Sequence, residues 1–509
     1  MRRLLLLTAA VLAAVIVFVL ATLPPAPVRL DLAASNQDVV RRTVAGAYHI
    51  HTTRSDGAED KASVAAAAAR AGLRFAIFSD HGDGTRTPDA PAYIDGVLCL
   101  DGVEISTNGG HYVALDMPAS PYPLGGEAAA VVEDVARLGG FGIAAHPHSP
   151  KRELAWHDWR APFDGIEWLN VDSEWRDEPR GRLAATFVRH LVRPAPAIAS
   201  LFQVPRATVD RWAAAMRERP VVALAAVDAH GRMGRRMEGG VPLGPSYEGS
   251  FRTVSNRVLL DRPFSGDAAV DARLLMDAIR KGRVYSVVDA LAAPAYFDFA
   301  SEPLSPPLTA RVERVGEGDR AWYLVVVGRD GERQLPWLLT NPAQFERGAA
   351  PSPKVAAIPA EPEGGEWRVE HDPTSRGSIE KAPGGGLTLN YSLGGGTRMN
   401  QFVAFALDLP AVVPARQIAF EGGSAKPMRM SVQLRVPSLN ERWTKSVYLD
   451  AGAREVVVAV GDMVPAENRV SRLPAAEAPG SLLLVVDLTN ARPGDSGRVV
   501  IRGVRVINR

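Results

Sequence analysis

Histidine and carboxylate residues in this chain recur just past the apolar end of strand-like runs. The clearest case is Tyr48-His49-Ile50-His51-Thr52-Thr53-Arg54-Ser55-Asp56-Gly57. Alternate side chains of a strand share a face, so His49 and His51 are expected to point the same way, as two imidazoles gripping one metal do. Asp56 follows after a polar turn that ends on Gly57, a residue suited to a tight bend. A single His-x-His pair fits an ordinary strand edge equally well, and the downstream pieces decide the matter. The run ending in Ser79-Asp80-His81 repeats the arrangement, as does Asp101-Gly102-Val103-Glu104. "GGHYVAL" carries His111, "FGIAAHPHSP" carries His146 and His148, and "VVALAAVDAH" ends in Asp228 and His230. Nine of the ten histidines precede residue 231. Imidazoles and carboxylates converging on one place suffer repulsion and desolvation unless a cation sits among them. Divalent-metal binding is the chemistry this pattern predicts.

The elements that must position these residues alternate in type. Strands are expected at Gly46–His51 and Leu73–Ser79, then in "GVLCLDGVE", "HYVAL", "FGIAAH", "FDGIEWLN", "PVVALAAVDAH" and "GRVYSVV". Helices are expected at Ser63–Gly72, Gly126–Leu138, Thr208–Arg217 and Asp271–Lys281. Such alternation predicts parallel β/α construction. About eight repeats in roughly 250 residues predict a barrel, whose function gathers at the C-terminal ends of its strands.

The 509 residues have a formal net charge of +1, so no basic field of the kind that specific nucleic-acid binding needs is present. Cys99 is the single cysteine, which excludes intrachain disulfides and any multi-thiolate metal site. Arg2 and Arg3 precede an uncharged run, Leu4–Leu23, long enough to cross a bilayer and stopped by Pro24 and Pro25. Basic residues before the run predict a cytoplasmic N-terminus and an exported remainder. The run reads as a signal anchor rather than a cleaved signal peptide, because its apolar stretch is long and Val19-Leu20-Ala21 is a poor cleavage site. The expected organisation is an anchor at 1–23, a tether at 24–44 and an α/β barrel at 45–300. A β-rich segment follows at 301–348, then a Pro- and Glu-rich linker at 349–365 and an all-β sandwich or jelly roll at 366–509.

The order His-x-His, Asp, Ser-Asp-His, Glu, His, His-Pro, Asp-x-His resembles the PHP (polymerase and histidinol phosphatase) superfamily over about Ala45–Val288. The resemblance implies a distorted β/α barrel holding roughly two to three divalent ions, with Zn, Mn and Fe all suited to such ligands. By motif it implies the ligands His49, His51, Asp56, His81, Glu104, His111, His146, Asp228 and His230. It further implies that His49, His51, Glu104 and Asp228 share one metal. Glu104 would bridge to a second with His111 and His146, and Asp56, His81 and His230 would hold a third. The anchored arrangement and the stretch "PLGPSYEGSFRTVSNRVLL…AIRKGRVY" are similar to carbaryl-hydrolase-type PHP metallohydrolases.

These observations predict a metal-dependent hydrolase, most directly a phosphoesterase, using a metal-activated water. A carbamate, ester or amide hydrolase on the same metals is the rival, and a non-catalytic glycan-binding protein is the reading from another class. His148 is a candidate general acid or substrate contact, and Asp80 a candidate for orienting a ligand imidazole. Lys151, Arg152, Arg232, Arg235 and Arg236 follow ligand motifs and are candidates for holding an anionic group, with solvated loop cations as the alternative. The C-terminal part resembles jelly-roll carbohydrate-binding modules, and Trp367, Trp443 and Tyr448 are either sugar-stacking or core residues.

Overall fold

Apolar runs in the first half of the chain build one curled sheet. The computed structural model describes residues 2–29, 37–176, 178–231, 245–293, 296, 310–315, 322–327, 335–342, 366–383, 385–409, 415–437, 440–466 and 479–507. The chain divides into two units, Met1–Gly82 with Thr87–Pro118 and Val135–Ala349, and Asp83–Arg86 with Ala119–Asp134 and Ala350–Arg509.

In the first unit the strands β1 (Thr43–Ile50), β2 (Phe75–Phe78), β3 (Val97–Thr107), β4 (Gly110–Leu115), β5 (Phe141–Ala144), β6 (Gly165–Asn170) and β7 (Val222–Ala226) are neighbours in chain order. Beyond β7 the backbone returns to β1. Val227 N donates to Tyr48 O at 3.0 Å, Ala229 N to His49 O at 3.3 Å, and His51 N to Ala229 O at 3.0 Å. The strand path thereby closes on itself. On the outer side of β1 the sheet continues through β8 (Ser255–Leu259) and β9 (Val284–Val287). It then runs through β12 (Leu335–Thr340) and β11 (Trp322–Val327) to β10 (Ala310–Val315).

The expected all-parallel construction is corrected here. Pairs β1–β2, β2–β3, β5–β6 and β6–β7 are parallel, whereas β3–β4, β4–β5 and every pair outside β1 are antiparallel. For β3–β4 the cause is connection length. Between Thr107 and Gly110 there is room only for a hairpin, and a parallel partner needs a crossover. The hairpin depends on Gly110, which has φ +104° and whose Cβ would stand 2.3 Å from Ala155 O.

Among the described helices are α1 (Arg2–Thr22), α2 (Lys61–Arg70), α3 (Val171–Arg176), α4 (Arg180–His190), α5 (Pro194–Ala199), α6 (Arg206–Glu218) and α7 (Ala268–Arg280). Asp60 caps α2 by accepting from Ser63 N, and the small buried faces of Ala65 and Ala68 let that helix lie close to the sheet. Helices α3–α5 fill a stretch for which the sequence pattern gave no expectation. The helix expected at Gly126–Leu138 forms as Ala128–Arg137. Side chains of β1–β5, β7 and α7, among them Tyr48, Phe75, Leu98, Val113, Ile143, Leu224 and Leu275, make one core. Within the stretch expected as a tether, Val28–Arg29 pairs with Ala292–Ala293, and Gln37–Arg42 is a short helix. The proposed linker 349–365 lies outside the described residues. Helix α1 is long and apolar enough over Arg3–Thr22 to cross a membrane.

The second unit contains two antiparallel sheets. One has six strands and includes Phe402–Asp408, Met428–Val436 and Ser481–Asp487; the other has five and includes Leu387–Ser392, Gln417–Ser424 and Ser496–Ile507. Their facing side chains, such as Phe405, Val432 and Leu484 against Leu389, Phe420 and Ile501, share one core, which makes the unit a sandwich. Trp443 belongs to that core, Tyr448 is buried and Trp367 packs against the core in part. Register turns Trp443 into the core between the sheets, which removes it from the sugar-stacking role, whereas Tyr448 lies on the opposite face of the same strand. Truncating such a ring leaves a cavity, so Trp443→Ala is expected to destabilise the second unit by roughly 3–5 kcal/mol. Urea unfolding of the full chain checks this, and a loss below about 1 kcal/mol would show that the ring is not part of the core.

Candidate metal centre

The closing seam of the sheet and the ends of β1–β7 hold most of the expected ligands. Glu104, 1% exposed on β3, is the hub. Its Oε1 accepts from His111 Nδ1 at 2.7 Å and faces His146 Nε2 at 2.9 Å. Its Oε2 lies 3.2 Å from His49 Nε2, 3.3 Å from His51 Nε2 and 3.3 Å from His81 Nδ1. Asp228 Oδ1 lies 3.5 Å from His49 Nε2 and 3.3 Å from His51 Nε2. On the open side, Asp56 Oδ2 is 3.3 Å from His230 Nε2 and 3.9 Å from His81 Nε2. His230 Nδ1 donates to Asp228 O at 3.0 Å, which turns its Nε2 toward Asp56. All nine residues singled out as ligands are therefore brought together. His81 stands closer to Glu104 than to Asp56, so it joins both parts of the cluster.

The His-x-His pair reaches the cluster by a different route from strand alternation. His49 has φ +66°, and the β1–β2 register shifts between Tyr48 and Ile50. This bulge turns His49 inward, while His51 stands one residue past the end of β1. His146 and Asp228 also have positive φ, +30° and +45°. Three strained residues at one site point to a geometry imposed by function. Gly57 closes the turn that carries Asp56; a Cβ there would stand 2.4 Å from His51 O.

Burial acts against every charge in the cluster, yet the charges hold one another. Burial would raise the Glu104 carboxyl, but the His49 charge and hydrogen bonds from His111, His146 and His49 hold it well below its ordinary value. Burial would lower His51, but hydrogen bonds to Asp228 and Glu104 push it up to about 10. His49, His146 and His230 are raised in the same way, by Asp228, by Glu104 and by Asp56 respectively. His81 alone among these rings is lowered, chiefly by burial.

The donor set fits divalent cations. Among the described residues, four triads have ligand atoms within 4.8 Å of one another: His49–His51–Glu104, His49–His146–Asp228, His51–Asp56–His230 and His81–Glu104–His111. Two imidazole nitrogens, His49 Nε2 and His51 Nε2, face each other at 3.1 Å between carboxylates. Imidazole with carboxylate is the donor chemistry of Zn, Mn and Fe sites.

Glu167 was not singled out from the sequence. It is fully buried on β6 and accepts from His49 Nδ1 at 2.5 Å, from His146 N at 2.8 Å and from Asn170 Nδ2 at 2.9 Å. It thus fixes the ring of His49 with Nε2 toward the cluster. Asn170 Nδ2 also donates to Asp228 Oδ2 at 3.1 Å. The signal in the sequence is a Glu and an Asn inside the otherwise buried, apolar run "GIEWLN".

The remaining candidates are placed as follows. Asp80 accepts from Thr52 N, Thr52 Oγ1 and Ser55 Oγ at 2.6–2.8 Å, so it braces the loop after β1 and meets His51 through Ser55. The His148 ring faces Glu174, Nε2 to Oε1 at 3.2 Å. Lys151 and Arg152 are exposed on the following turn. Arg232, Arg235 and Arg236 lie outside the described residues.

No protein-family model matches the chain, and a search of curated proteins finds no match. Among solved structures, a family 11 carbohydrate-binding module from Clostridium thermocellum, in complex with a mixed-linked tetrasaccharide, is similar at 14% identity over 28% of this chain and 88% of its own, with a TM-score of 0.23. A protein from Bifidobacterium adolescentis, provisionally described as a metal-dependent phosphoesterase, is similar at 14% identity over 39% of this chain and 92% of its own, with a TM-score of 0.26. Scores this low transfer neither fold nor function to the chain.

Two expected outcomes follow from the geometry. Glu167→Gln should keep the fold and weaken metal binding about 10- to 100-fold, while Glu104→Gln should lose bound metal outright. Metal analysis and calorimetry check both, and equal metal affinity in wild type and Glu167→Gln would remove Glu167 from the site. Because His51 is held protonated up to about pH 10 without metal and must be neutral to ligate, metal binding at pH 7 should release protons and tighten as pH rises. Calorimetry in buffers of different ionisation enthalpy measures the release; zero release would contradict a protonated cluster.

Proposed function

We propose that the chain is a membrane-anchored metal-dependent hydrolase of PHP type, exported and acting on phosphoesters at a centre of roughly two to three divalent ions. The observation that carries this reading is Glu104, a buried carboxylate with five imidazole nitrogens within 3.3 Å. Divalent ions bound there supply Lewis acidity and ionise a water near neutral pH. Glu104 and Asp228 hold the buried floor of the centre, and Glu167 keeps His49 turned into it. Asp56, 53% exposed, with the less exposed His81 and His230, forms the side open to substrate. In the reaction the phosphorus–oxygen bond to the leaving group breaks and a bond to the oxygen of water forms. One proton leaves that water and one reaches the leaving oxygen. His148, whose ring faces Glu174, is assigned as the donor of the second proton.

The proposed export follows from Arg2 and Arg3 ahead of α1. Glycan contact by the second unit stays the alternative reading, and Trp443, which lies in that unit's core, would not serve it.

The test uses the purified full chain in detergent, with metals quantified, against a phosphomonoester, a phosphodiester, an aryl carboxylic ester and a carbamate. Metal-dependent phosphoester turnover, abolished in Glu104→Gln, is expected. Neutralising Arg232, Arg235 and Arg236 together should lower kcat/KM for phosphoesters roughly 10- to 100-fold, the worth of one charge-assisted contact. Turnover of neutral esters alone would replace this reading with carbonyl chemistry on the same metals.

A further inference from the structure

Helices α3–α5 enter the chain directly after Asn170, the residue that ties β6 to Asp228. They enclose a narrow cleft lined by Val171, Glu174, Trp175, Leu183, Phe187 and Phe202. The lining is apolar apart from a few groups. Glu174 is the charged one, and it faces His148, two residues beyond His146 of the centre, at 3.2 Å. Glu174 thus ties the cleft to the ring proposed above as proton donor.

Helix α4, whose Phe187 lines the cleft, also touches the membrane helix. Arg189 Nε on α4 donates to Thr22 Oγ1 at 3.2 Å, and Arg193 Nη1 donates to Pro24 O at 2.7 Å. The Arg189 guanidinium also lies 5.7 Å from the ring of Phe18. Thr22 is where the apolar span of α1 ends, so these contacts set the C-terminal end of α4 at the level of the lipid headgroups. There the turn after α4 presents Leu191 and Val192, 70% and 54% exposed, between Arg189 and Arg193. Two exposed aliphatic side chains flanked by arginines at this level suit an anionic bilayer interface.

We infer that the substrate is a membrane amphiphile: Leu191 and Val192 dip into the bilayer surface, the hydrocarbon chain of the substrate enters the cleft, and its ester bond reaches the metal centre past His148. This deepens the proposed phosphoesterase function and rests on it. A narrow apolar slot ending at a polar centre selects a molecule that is apolar at one end and carries an ester at the other.

The test uses the full chain reconstituted in vesicles of phosphatidylcholine and phosphatidylglycerol, with two probes, methyl p-nitrophenyl phosphate and hexadecyl p-nitrophenyl phosphate. The hexadecyl diester is expected to have a kcat/KM at least tenfold higher. That ratio should collapse toward one in Phe187→Glu and in the surface double variant Leu191→Asp/Val192→Asp; a ratio cancels any loss of folded enzyme. Independently, vesicles with bromine-labelled chains should quench Trp175 fluorescence, read as the difference between wild type and Trp175→Phe. Equal turnover of the two diesters without quenching would overturn the lipid cleft and leave the hydrolase reading standing. Turnover of neither diester, with quenching intact, would overturn the phosphodiesterase reading and support the cleft. Burial of Leu191 and Val192 in a dimer of this chain, shown by cross-linking through cysteines placed there, would also overturn the inference.

Discussion

A buried carboxylate surrounded by imidazoles constrains everything else in the first unit. Removing Glu104 from water alone would neutralise it, because burial disfavours the charged form. It stays ionised only while His49, His51, His81, His111 and His146 remain within hydrogen-bond range. Those rings come from β1, from the loop after β2, from β4 and from just beyond β5. No flat sheet could bring strands so far apart in order to one carboxylate. The curl of the sheet and its closure at β7–β1 are thus conditions for the hub, and His49, His51 and His146 in turn owe their raised affinity for protons to the carboxylates beside them.

The seam that closes the sheet is also where the backbone is strained. His49 and Asp228, both with positive φ, sit on its two sides. Non-glycine residues held in such conformations cost about 1–3 kcal/mol each and persist only when their surroundings over-determine them. Here the over-determination is visible. The carbonyl of His49 accepts from Ala229, and the carbonyl of His51 accepts from Tyr247 Oη, which also holds Ala58 N. Glu167 then fixes the His49 ring from behind. Relaxing the strain would break the seam and turn the ring away together.

The parts of this arrangement that could be read from the sequence are those written in strong local patterns. Apolar runs ending in His, Asp or Glu located nearly every donor, because a strand must end where its side chains turn polar. Direction of pairing could not be read, since it depends on whether a connection is a hairpin or a crossover, and the Thr107–Gly110 turn becomes decisive only once its two strands are known. Glu167 stayed hidden for a related reason: "GIEWLN" looks like an interior strand, and a charge there gains meaning only from the His49 ring that it meets across a separation of 118 residues. The bulge at His49 left no trace either, because alternation predicted the right convergence by the wrong route. In the second unit the aromatic residues were legible as either core or surface, and only the facing of two sheets decided that Trp443 lies inside.

The centre is built from a stiff floor and a rim that can be approached. His49, His51, Glu104, His146 and Asp228 are buried, whereas Asp56 stands on a solvent-facing turn. Such a rim donor would be expected to drift, and two features oppose this. Gly57 allows the turn to pack so closely on the His51 carbonyl that any side chain at 57 would push the two apart. Asp80, buried, collects Thr52 N, Thr52 Oγ1 and Ser55 Oγ and so ties the same turn back to the end of β2. Through Ser55 Oγ, 3.4 Å from His51 Nδ1, the turn also touches the floor. Asp56 is therefore accessible without being loose. This combination leaves the cluster open to solvent on one side while the buried donors keep their spacing. It also gives Asp80 a physical role as the brace of the rim, set back from the reacting atoms.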